Sequence, residues 1–199
     1  MAYSDFTLNQ LKQNFNLRVE EQTDLFSGIP ECLPSELLQA ILRENTPLAL
    51  AIHTEKARSE LIISPILVEV RRLLERQVSL FSGVDFTVAP EQGLNGVCDF
   101  LFSRSPEQLT LTAPIMVLVE AKNDNIKAGI PQCIAEMIAA QLYNDRENTG
   151  IATIHGVVTT GSIWRFLRLE HSTVIVDMAE YYLDRLDKIL AILTGMLKA

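Results

Sequence analysis

The run Ile115-Met116-Val117-Leu118-Val119-Glu120-Ala121-Lys122 constrains this chain more than any other stretch. It opens as a continuous apolar segment rich in β-branched residues. That pattern predicts a central strand buried on both faces. The run then ends in two charges. Side chains alternate along a strand, so Glu120 and Lys122 share one face while Val119 and Ala121 share the other. A carboxylate and an ammonium at the end of a buried strand carry a desolvation cost that something must offset. Taken alone, such a pair is most often a salt-bridged strand end. Its company makes it more specific: Glu60 and Asp99 upstream, and Gln132 downstream.

The surrounding pattern is that of an ordered α/β domain. The chain has 199 residues, 48% hydrophobic and 21% charged, enough to build a core. Residues 1–53 are expected to form an N-terminal extension packed on a domain spanning 54–199. In the extension, Thr7 caps a short helix and 15–19 alternates like a strand. Ser35 caps a second helix to about Arg43. Residues 1–53 are read as a cap or a dimer element.

Thr54-Glu55 opens a longer helix in which Pro65 marks a kink or a second start. Glu60 lies beside its apolar stripe, where an exposed glutamate is the ordinary reading. Strands are expected at 84–88 and 97–102, joined by a turn at Asn95-Gly96. Asp99 stands in the middle of the second, sharing a face with Val97 and Leu101. A helix from Pro131 to about Tyr143 follows the organising strand. It places Gln132 near its start, with Glu136 one turn on. Strands at 154–159, 164–169 and 174–176 precede a helix from about Tyr181.

No apolar segment reaches a membrane span, and no basic, apolar leader is seen, so a cytoplasmic protein is expected. Cys32, Cys98 and Cys133 are widely spaced and odd in number, as in small buried hydrophobes of a reducing compartment. His53, His155 and His171 show no metal-ligand spacing. The net charge of −8 argues against broad affinity for nucleic acid. A local basic face is still compatible, because Lys56, Arg58, Arg71, Arg72 and Arg76 cluster in one segment. A solvated helix face explains that cluster equally well.

The order is helix with Glu60, strand, strand with Asp99, strand with Glu120 and Lys122, helix with Gln132, strand. It resembles the PD-(D/E)XK, or restriction-endonuclease-like, phosphodiesterase superfamily over about residues 54–160. The stretch from Glu55 to Glu60, taken with Val119 to Asp124, is also similar to bacterial nuclease-like proteins and the nuclease domains of type I restriction subunits. Cys98 stands where the family motif often carries proline. The resemblance implies an α-β-β-β-α-β core with a central mixed sheet. It further implies a metal-dependent nuclease acting on DNA, with RNA left open as the alternative substrate. Asp99, Glu120, Lys122 and Gln132 would be catalytic. Asp99, Glu120, the Ala121 carbonyl and Glu60 would bind Mg²⁺ or Mn²⁺. Lys56, Arg58 and Lys127 are the candidate substrate contacts.

Physical chemistry leads the same way. Two carboxylates on adjacent strands of a partly buried site cannot both stay ionised without a cation. Hard oxygen ligands favour Mg²⁺ or Mn²⁺. The alternative is a nuclease fold kept as a binding or assembly module, working as a homodimer or with a partner protein. A third reading is an α/β protein in which the Glu120–Lys122 pair is structural.

Overall fold

The computed structural model describes residues 1–198. Eight strands form one mixed sheet: β1 (Arg18–Gln22), β2 (Ser79–Asp85), β3 (Val97–Ser103), β4 (Ile115–Ala121), β5 (Thr153–Thr159), β6 (Ile163–Glu170), β7 (Thr173–Asp177) and β8 (Tyr181–Tyr182). Their order is β1-β7-β6-β5-β4-β3-β2, with β8 beside β6. The pairs β2/β3, β3/β4, β5/β6 and β6/β7 are antiparallel, whereas β4/β5 and β1/β7 are parallel. The helices are α1 (Leu8–Asn14), α2 (Glu36–Ile52), α3 (Glu55–Arg58), α4 (Ser64–Leu73), α5 (Ile126–Arg146) and α6 (Leu186–Lys198). No helix among the described residues is long and apolar enough to cross a membrane.

The predicted central strand is β4, and every one of its residues is buried. Apolar clusters lie on both faces of the sheet. On one, Cys133, Ile134 and Met137 of α5 pack against Leu118 and Val158, together with Tyr3, Phe6 and Leu11. On the other, Ile66, Leu67 and Val70 of α4 and Leu190 and Leu193 of α6 pack against Val117, Val119 and Val157. Residues 1–53 do more than cover the domain, because β1 is the edge strand next to β7. Asp177 ties the segment after β1 to the sheet: its carboxylate accepts from the N–H groups of Asp24 and Leu25 and from the Tyr181 hydroxyl.

Several boundaries differ from expectation, most of them at prolines and caps. The α2 helix runs through Pro47 to Ile52, well past Arg43. The kink at Pro65 is resolved by a π-helical turn over Ser59–Ile63 between α3 and α4. Proline has no N–H to offer the Leu61 carbonyl, and Asn45 of α2 donates to that carbonyl instead, at 3.3 Å. Helix α5 starts at Ile126, ahead of Pro131, because Asn125 caps it by accepting from the Ala128 N–H. Gln132 therefore lies inside the helix and not at its first turn. The strand expected at 84–88 is β2, shifted earlier; residues 86–88 continue the hairpin through bonds to the Gly96 and Leu94 carbonyls. The strand expected at 15–19 is β1, shifted later. Tyr181 and Tyr182 form a short strand against β6, so the last helix begins at Leu186.

Helix α5 is the crossover between the parallel strands β4 and β5. It approaches the sheet at Gly156 so closely that a Cβ there would sit 2.4 Å from Met137 Sδ and 2.8 Å from Cys133 Sγ. Farther along, the fully buried Asn144 side chain acts as a piece of sheet. Its Oδ1 accepts from the Ile115 N–H and its Nδ2 donates to the Ile115 carbonyl, both at 2.7 Å. Asn144→Ala would leave both backbone groups buried without partners, which costs about 3 kcal/mol. Urea unfolding should register that loss.

His155 on β5 is buried, and its Nδ1 has no hydrogen-bond partner. Burial, with the Arg168 charge adding to it, lowers its pKa from 6.5 to about 4. The folded chain thus refuses a proton that the unfolded chain accepts. The stability from the neutral ring is complete above pH 6.5 and is lost as the pH falls towards 4. A shift of this size corresponds to about 3 kcal/mol. Replacing His155 with Asn should flatten the fall in melting temperature between pH 6.5 and 4.

Candidate functional site

The end of β4 gathers most of the residues singled out in the sequence. Asp99 lies where β3 leaves its regular pairing with β4: the ladder runs to Phe100↔Val119, and beyond it Asp99 Oδ2 accepts the Ala121 N–H at 2.8 Å. Face alternation breaks at the same point. Cys98 belongs to the core on the α5 side and Phe100 to the opposite one. On β2, Gly83 adopts a φ of +62° between Ser82 and Val84, which pair with Phe100 and Cys98. The expected shared face with Leu101 does not hold. Leu101 packs in the α5-side core, whereas Asp99 lines a cleft of about 250 Å³ with Glu55, Lys56, Ser59, Glu60, Ser82, Gly83 and Ala121.

Glu120 is almost wholly buried behind this cleft and ion-pairs with Lys122 through Oε1. Its Oε2 meets no N–H or hydroxyl donor, and the Glu136 carboxyl is the neighbour that can share a proton with Glu120. The Lys122 ammonium also reaches Gln132 Oε1 at 3.5 Å, and Gln132 Nε2 donates to Glu136 Oε1 at 3.3 Å. Lys122, Gln132 and Glu120 thus meet as expected, and they bring in Glu136, which the sequence reading left out. Glu136 is fully buried, and its own Oε2 likewise meets no N–H or hydroxyl donor. Signs of its role were present: it stands one turn from Gln132 on a helix whose surrounding residues are apolar or small.

Electrostatics follow from this crowding of acids around one base. Burial raises the Glu120 pKa from 4.5 to about 7; Asp99 adds to the rise and Lys122 opposes it. Burial also raises Asp99, against the Ala121 N–H and Lys122. Glu136 is pushed well above the usual carboxylate range by burial and by Glu120. Burial works to lower Lys122, but Glu120, Glu55 and Asp99 together hold it above its ordinary value. Glu55 is therefore the helix glutamate whose charge reaches the pair. Glu60 lines the same cleft but pairs with Lys56 at 2.8 Å, and both side chains are largely exposed.

Arg58 is not placed to contact a substrate. It is buried, and its guanidinium donates to the Thr160 carbonyl at 3.0 Å and to Ser162 Oγ at 3.3 Å, docking α3 on the β5–β6 turn. Lys56 stands exposed at the cleft. Lys127 is exposed on the first turn of α5 and is not among the residues that line the cleft. Cys98 and Cys133 are buried free thiols, while Cys32 is half-buried.

For Mg²⁺ or Mn²⁺, the fit rests on the donor chemistry of Asp99 and Glu120 and on the buried Glu120 Oε2, which no N–H or hydroxyl reaches. Among the described residues, no group of three or more His, Cys, Asp or Glu side chains is placed to hold a metal ion. A cation here would rely on those two carboxylates and the Ala121 carbonyl. Comparisons with models of protein families, with curated proteins and with solved structures give no match.

Glu136 offers a test of the charge crowding. Its raised pKa means that the folded chain keeps a proton that the unfolded chain releases above pH 4.5. This contribution is full below pH 4.5 and is lost as the pH climbs towards the folded value. Glu136→Gln keeps an acceptor for Gln132 and a donor for Glu120. The variant should melt at least as high as the wild type at pH 8, with a smaller drop between pH 5 and pH 8 in metal-free buffer.

Proposed function

We propose that this protein is a metal-dependent nuclease that hydrolyses phosphodiester bonds of DNA, with a core of the restriction-endonuclease-like type. The observation that carries this reading is the gathering of Asp99, Glu120 and Lys122 at the end of β4, with Glu120 almost wholly buried and ion-paired to Lys122. The order α3/α4, β2, β3, β4, α5, β5 supports it, with β4 and β5 parallel on either side of the α5 crossover.

Asp99, Glu120 and the Ala121 carbonyl would hold Mg²⁺ or Mn²⁺. When bound, the ion polarises a phosphoryl oxygen and lowers the pKa of water. Lys122, fixed between Glu120 and Gln132, is placed to stabilise charge as it develops on the phosphate. Gln132 holds the ammonium at its carbonyl. Glu55 adds negative charge to the cleft, and Lys56 at the rim is the base available to a backbone phosphate. Glu60 lines the same cleft as an exposed side chain paired with Lys56, so it stands at the rim and not with the buried carboxylates.

A second reading has its own support. Glu120 is nearly inaccessible, Asp99 spends one oxygen on a backbone N–H, and no three-acid cluster exists among the described residues. These features suit a nuclease fold retained for binding or assembly.

Cleavage of supercoiled plasmid with Mn²⁺, beside calorimetry of Mn²⁺ binding, separates the two. Asp99→Ala, Glu120→Ala and Lys122→Ala should each lower cleavage by at least about 100-fold, the scale seen when one stabilising group is removed. Glu60→Ala should change it little. A wild-type protein that neither binds Mn²⁺ nor cuts would favour the assembly module.

A further inference from the structure

The α5 surface facing the end of β4 is built around a vacancy. An added Cβ at Gly129 would lie 2.7 Å from Val158 Cγ1, 3.1 Å from Lys122 Cγ and 3.2 Å from Lys122 Cε. The lysine stem therefore runs across the helix where no side chain stands. Gly129 has an ordinary backbone conformation, so neither a turn nor a positive φ calls for glycine there. A glycine in a helix interior also costs about 1 kcal/mol relative to alanine. What it provides is space, and Lys122 occupies that space. Gly129, Gln132 and Glu136 follow each other at spacings of three and four, which places them on one helical face.

We infer that α5 is the positioning element for Lys122. Gly129 clears the path of its alkyl stem, and Glu136 orients the Gln132 amide so that the carbonyl faces the ammonium. The observations are the close approach at Gly129 and the chain of contacts Glu136–Gln132–Lys122–Glu120. Gly129 touches no substrate and acts only through Lys122. The catalytic consequence rests on the nuclease reading above; the placement of the ammonium does not.

Gly129→Ala is the direct probe, with Val158→Ala to separate its two clashes. Ammonium hydrogens held by fixed acceptors give an NMR cross-peak that free lysines lose to exchange. Wild type should show this peak for Lys122, identified by its absence in Lys122→Arg. Gly129→Ala should lose it while the backbone spectrum stays folded. If the clash with Lys122 is responsible, Gly129→Ala/Val158→Ala also lacks the peak, and Val158→Ala alone retains it. Under the nuclease reading, Gly129→Ala lowers kcat by about 10-fold, equivalent to 1.36 kcal/mol of barrier, with KM unchanged. A Gly129→Ala protein that keeps the Lys122 peak overturns the inference, as does recovery of the peak in the double variant. Should wild type cut no DNA while the peaks behave as expected, the nuclease reading fails and the positioning role stands.

Discussion

The close contact between α5 and the strands β4 and β5 governs the rest of the molecule. The helix crosses back over β4 and meets it at both ends: Asn144 bonds to Ile115 at the start of the strand, and Gly129 lies against Lys122 just past its end. Between them, the bare backbone of Gly156 lets Cys133 and Met137 sink onto β5. A helix held at three points across two neighbouring strands has little freedom to slide. Small shifts of packed elements are resisted because interiors are close-packed, so the site at the end of β4 inherits its precision from core packing some distance away.

That precision is applied to an unfavourable arrangement. Asp99, Glu120 and Glu136 crowd around one lysine in a place with little water, and two carboxyl oxygens lack N–H or hydroxyl donors. Buried polar groups normally find partners. A core selected only for stability would replace such a cluster with apolar side chains at little cost or with a gain. The nuclease reading gives the cluster a purpose, since a cation would turn its least stable feature into its binding energy. The assembly reading has to treat the same cluster as structural, with a proton shared between Glu120 and Glu136 in the role of the cation.

The strands were legible in the sequence because their signals are local: β-branched runs, an Asn-Gly turn, and charges out of place at 99, 120 and 122. Helix boundaries were less legible. Pro47, Pro65 and Pro131 each suggest an end or a start, yet a long helix passes through 47 and 131, and a π-helical turn absorbs 65 with help from Asn45. That help comes from another helix, which no local pattern records. Glu55, which lines the cleft beside Glu60 and whose charge reaches Glu120 and Lys122, carried no local mark in the sequence. Arg58 reads as a surface base until the β5–β6 turn is brought against it. The space at Gly129 belongs to tertiary structure alone.

Sheet order carries a consequence for assembly. Strands β2 to β7 lie side by side in their order along the chain, and α5 supplies the one long excursion among them. Outside this order stand the short β8 beside β6 and, far more distant in sequence from its partner, β1, whose Arg18 pairs with Thr173. Contacts so distant in sequence form slowly, because a long loop must close before they yield any stabilisation. Until that happens β7 is a bare edge of largely buried side chains, the kind of edge that pairs readily with other chains. On this view β1 also serves as a guard: the stretch made early in synthesis is held in reserve to seal the strand most prone to pairing with a neighbour.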